Sequence, residues 1–111
     1  MMKASRQILI GLLLSGTIVF SATAAESMAA PDGEKLFAQF CLACHFERGP
    51  GTYMLRRRLG DEQALLTARN DLQPAYVKAV VRNGLNGMLR FRKVELPDSQ
   101  LDAIVDFLGH K

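Results

Sequence analysis

Apolar side chains recur at the three-and-four spacing of a helix face in three stretches of the chain. Leu36, Phe37 and Phe40 predict a helix over about 33–43, with Asp32 as its cap. Residues 72–84, LQPAYVKAVVRNG, predict a second. Pro74 suits its first turn, Tyr76, Val77, Val80 and Val81 form its buried stripe, and Asn83-Gly84 is a stop signal. Three valines give that segment poor intrinsic propensity, so packing must hold it. Leu101, Ile104, Val105 and Leu108, with Phe107 beside them, predict a third helix over 97–108, opening at Pro97-Asp98. A short helix is expected within 61–67, capped by Asp61. Residues 45–53 read as a turn-rich loop, and 85–96 as a loop without periodicity. No segment alternates as a strand does, so the expected class is all-α: three main helices and one small one.

The amino terminus follows a different pattern. Lys3 and Arg6 precede an apolar run from Ile8 to Phe20, and the small residues of SATAAES follow it. That is the layout of a cleaved secretory leader, with the cut after Ala24 or Ala25. The other reading is a retained anchor, for which the run is short. The expected organisation is a leader at 1–25, a disordered lead-in at 26–32 and one domain at 33–109, without a permanent membrane span.

Charge changes with the leader. The whole chain has 14 basic and 11 acidic side chains, a formal +3. Loss of Lys3 and Arg6 leaves 12 against 11, a formal +1. A chain so nearly balanced gives no footprint for nucleic acid. About 86 residues would remain, a size at which a hydrophobic core alone is marginal.

Residues 41–45, CLACH, hold the only two cysteines. In an exported chain this spacing reads as covalent attachment of a c-type haem. Each thiol adds to one vinyl group, and the adjacent His45 serves as the proximal iron ligand. A redox dithiol needs no following histidine and expects a strand–helix context. A zinc site needs two more ligands, and the only other histidine is His110. For the sixth iron position a thioether is suited. Met1 and Met2 leave with the leader, and Met28 lies in the lead-in. Met54 follows His45 by only nine residues, too short a span to wrap a macrocycle, and reads as packing with Leu55 against the haem edge. Met88 follows by 43 residues in the glycine-flanked stretch GLNGMLRF and is the candidate ligand; the alternative is an ordinary packed methionine.

On CLACH and on DLQPAYVKAVVRNGLNGM, the chain resembles a small class I cytochrome c over residues 33–108. In particular it resembles the short cytochrome subunits of alkylphenol-oxidising flavoproteins of the p-cresol methylhydroxylase type. Leu72, Tyr76, Val81, Arg82, Asn83, Gly84 and Met88 match the arrangement of those subunits. Leu89 departs from it, standing where the family has proline after the ligand methionine. The resemblance implies the class I fold around one covalent haem c, with Tyr76 and Phe91 in the haem pocket. It implies a right-angle crossing of the first and last helices, at Gly33 and Phe37 against Ile104 and Phe107. It also implies that the Pro50 carbonyl holds the second ring nitrogen of His45; the alternative is that Pro50 only shapes a turn.

The function expected is one-electron transfer in the periplasm, not enzymatic catalysis, because a His/Met-ligated iron has no open site. The resemblance implies a flavin-dependent dehydrogenase or hydroxylase as donor and a cytochrome, copper protein or oxidase as acceptor. A free diffusible carrier is the alternative, and a haem sensor a further one. Arg90, Arg92 and Lys93 flank the methionine loop as candidate docking cations; Arg56, Arg57 and Arg58 are either a second group or plain surface.

Overall fold

The computed structural model describes residues 29–109. The expected leader at 1–25, Met28 and His110 lie outside them.

Among the described residues five helices follow in order: α1 Gly33–Phe40, α2 Leu42–His45, α3 Pro50–Leu59, α4 Pro74–Asn83 and α5 Asp98–Gly109. Single 3-10 turns occupy Asp61–Gln63 and Leu66–Ala68. Among the described residues there is no strand, only an isolated bridge between Leu85 and Met88. No helix among them is long and apolar enough to cross a membrane.

The Asp32 side chain accepts a hydrogen bond from the Lys35 N–H at 3.2 Å, which satisfies one of the orphan donors of α1. The expected helix over 33–43 is interrupted at Cys41, a single turn residue at φ −115° that still bonds the Phe37 carbonyl before α2 begins at Leu42. The larger correction is α3, because a helix stands where a loop was expected up to residue 53. Its signals are at its ends. Gly49 takes the N-cap position, Pro50 opens the helix, and Gly60, at φ 88°, closes it with its N–H on the Arg56 carbonyl. Arg56, Arg57 and Arg58 lie in the last turn, where cations suit the helix dipole. Asp61 is not a cap; its carboxylate accepts from Arg56 Nε at 2.6 Å.

The core sits where α1 and α4 pack on α5. Phe37, Val81, Leu96, Leu101, Ile104, Val105 and Leu108 form one buried cluster. Tyr76 does not join it. That side of α4 buries Val81 and partly Val77 and Val80, while Tyr76 is 55% exposed.

The four residues expected at the helix crossing meet there. A Cβ on Gly33 would collide with the Ala103 carbonyl oxygen and stand 2.8 Å from the Phe107 Cβ. The Phe37 and Phe107 rings lie 5.7 Å apart at 47°, and Ile104 is buried beside them. Backbone cannot yield as a side-chain tip can. Gly33→Ala is therefore expected to cost about 1–3 kcal/mol, read as a lowered thermal midpoint. An unchanged midpoint would show that the two helices separate freely.

Candidate haem site

The break at Cys41 hands the chain from α1 to one helical turn that carries the whole CLACH group. Cys44 and His45 both donate their N–H groups to the Cys41 carbonyl, at 3.1 and 3.0 Å. Both thiols are free. Burial pushes the Cys41 thiol up to about 11, with the neighbouring Cys44 adding to the shift. Redox-active CxxC pairs have lowered thiol values, so the shift runs against that chemistry. Burial also lowers the His45 value, which favours the neutral imidazole that ligates metals. Among the described residues no group of three His, Cys, Asp or Glu could hold a bare metal ion.

Met88 is carried by the segment that returns from α4. Gly84, at φ 74°, ends α4 and does a second job, since a Cβ there would stand 2.7 Å from the Met88 carbonyl oxygen. Asn86 takes a left-handed φ of 53° at the head of a tight turn. The Leu85 N–H donates to the Met88 carbonyl at 3.3 Å, and the Met88 N–H to that of Leu85 at 3.0 Å. The Asn-Gly pair at 86–87 was the sequence signal for this turn. Beyond it, the Phe91 N–H reaches the Val81 carbonyl at 2.8 Å.

Arg82 clamps this segment. It donates to the Phe91 carbonyl at 3.1 Å and to the Asp98 carboxylate at 2.8 Å. Lys93 donates to the other Asp98 oxygen at 2.7 Å. Lys93 first, then Arg82, hold the Asp98 carboxyl below its usual value of 3.8. A depressed carboxyl stabilises the fold fully above its unfolded value and loses that effect as pH falls through the folded one. The thermal-midpoint gap between wild type and Asp98→Asn is thus expected to hold from about pH 7 to about pH 5 and to close in stronger acid. A gap still open at about pH 2 would contradict the clamp.

Both halves border one cavity of about 640 Å³, within the usual range for cofactor sites. Cys41, Cys44, His45 and Met88 all line it. So do Met54, Leu55, Tyr76 and Phe91, the four residues expected in the haem pocket. The remaining wall is chiefly apolar and includes core members Val81, Leu101 and Ile104. Arg58 and Arg69 are the cations in it. Arg69 is held by two 2.8 Å bonds to Asp71. An apolar slot with two thiols, a neutral imidazole, two thioethers and two guanidinium groups fits a haem bearing two carboxylates.

One expectation needs correction. His45 Nδ1 is buried without a hydrogen-bond partner, so the Pro50 carbonyl does not hold it. Pro50 opens α3 and lines the cavity instead. The expected docking cations are also mostly engaged within the chain. Arg92 pairs with Glu95 at 3.2 Å and Lys93 with Asp98, which leaves Arg90 as the one of the three without an ion pair. Of the arginine triplet, Arg56 pairs with Asp61, Arg57 lies 5.9 Å from the Tyr53 ring centre and Arg58 faces the cavity.

Compared with known families, residues 28–108 match the family model described as cytochrome c oxidase, cbb3-type, subunit III. No curated protein and no solved structure gives a significant match.

Proposed function

We propose a function from one premise: the chain belongs to the cytochrome c oxidase, cbb3-type, subunit III family of cytochrome c domains. Membership implies covalently bound haem c and electron transfer through it. Our reading is that the chain is an extracytoplasmic one-electron carrier with His45 and Met88 as axial ligands. The observation that carries it is the single cavity bordered by Cys41, Cys44 and His45 from one part of the chain and by Met88 from another.

When bound, haem c supplies a one-electron couple. Cys41 and Cys44 would tether it through thioether bonds, and His45 would ligate through Nε2, since Nδ1 is buried against the protein. Met88 would supply a second protein ligand, a sulfur that favours the reduced state. The apolar wall would keep water from the bound group, while Arg58 and Arg69 would offer charge to its carboxylates. With His45 and Met88 both engaged, the chain would leave no site for oxygen or an organic substrate.

For place and partners, the leader-like residues 1–25 support export to the periplasm. The run from Leu72 to Met88 supports a flavin-dependent dehydrogenase or hydroxylase as donor, with this chain as its cytochrome subunit, and a downstream cytochrome, copper protein or oxidase as acceptor. Leu89 is 82% exposed next to Met88 and beside the basic Arg90, a combination suited to a protein contact near the cavity mouth. The test is purification of the haem-loaded chain from the periplasm of its own cells, without added salt. Co-elution with a flavoprotein whose substrate reduces the haem supports the subunit reading. A monomer reduced only by small donors supports the free carrier.

A further inference from the structure

The buried, unbonded edge of His45 is covered by Gly51. A Cβ on Gly51 would stand 3.0 Å from His45 Nδ1, 2.9 Å from its Cε1 and 2.9 Å from the Cys44 carbonyl oxygen. All three are shorter than the ordinary contact range, which begins at 3.4 Å. Gly51 is the second residue of α3, and it is not among the glycines of positive φ. Its backbone conformation is one that any residue adopts, and glycine is a poor helix former. What requires glycine is the closeness of the imidazole and of the Cys44 carbonyl.

We propose that Gly51 is a positioning residue for the iron ligand. Lacking a side chain, it lets the first turn of α3 close on the Nδ1–Cε1 edge of His45. That contact fixes the plane of the ring and keeps water from Nδ1. Nδ1 is buried there without a hydrogen-bond partner, so the set of the ring, and with it the donation of His45 to iron, depends on that contact. The inference rests on His45 being the ligand.

The experiment compares haem-loaded wild type, Gly51→Ala and Gly109→Ala. Gly109 ends α5 outside the cavity lining, has nothing within 4 Å of a Cβ, and serves as control. The pattern of hyperfine-shifted haem-methyl resonances in the ferric state reads the ring plane, and the reduction potential reads the donor strength. Gly51→Ala is expected to redistribute the methyl shifts and move the potential while its visible bands stay those of wild type. Gly109→Ala is expected to change neither. A Gly51→Ala protein with the wild-type methyl pattern and potential, and only a lower melting midpoint, would overturn the proposal. Should that variant not load haem, reduced wild type decides. Nuclear Overhauser contacts between the Gly51 Hα protons and the His45 ring are expected, and their absence would overturn it. Wild type without axial-histidine signals would instead refute the ligand reading itself.

Discussion

Cys41→Ala/Cys44→Ala is expected to carry no covalent haem and to be largely unfolded, the largest effect the structure implies. One small cluster of seven buried side chains holds α1, α4 and α5 together. Several of its members, Phe37, Val81, Leu101 and Ile104 among them, also line the cavity, so the core is shared with the space the haem would fill. With that space open to water, apolar walls lose about 25 cal/mol for every Å² left exposed. A domain of this size has little to offset the loss. Far-UV circular dichroism and a thermal scan check it. A variant with the helix content and cooperative melting of the haem-loaded protein would show that the chain folds on its own core.

Met88→Ala is expected to keep the covalent haem and lose its sixth ligand. The near-infrared band of methionine-ligated ferric haem should disappear, and the reduced protein should bind carbon monoxide. The potential should fall by a substantial fraction of the ~0.8 V range that axial ligands span. The fold should survive, because what holds the segment is largely backbone. Gly84 makes room for the residue 88 carbonyl, Leu85 pairs with that backbone, and Arg82 ties Phe91 to Asp98. The same bonds account for Leu89. The proline that the sequence resemblance led one to expect after Met88 is not needed, because the Asn86-Gly87 turn and the Arg82 clamp give the order. A variant with wild-type spectra and potential would remove Met88 from the iron.

Local order was legible where one periodicity ran long enough. The stripes of α4 and α5, and the shorter one of α1, located those helices to within a few residues. α3 was not legible this way, because PGTYMLRRRL has no continuous apolar face and is defined by glycine and proline at its ends. The tether group was legible because chemistry fixes the spacing of CLACH. What surrounds it was not. The contact of Gly51 with His45, the clamp of Arg82 and the pairing of Lys93 with Asp98 each join residues across a turn or a loop. Nothing local in the sequence marks such a pair. Tyr76 as a member of the buried stripe failed for a related reason, since helical spacing does not distinguish a core-facing side chain from one that faces a cofactor cavity.

The most direct test of the account is the absorption spectrum of the purified haem-loaded protein, oxidised and reduced, recorded into the near-infrared. The account predicts a sharp reduced alpha band and a weak oxidised near-infrared band, the latter absent from Met88→Ala. A covalent haem without the near-infrared band in wild type would contradict His45/Met88 ligation and leave the iron with another sixth ligand or none.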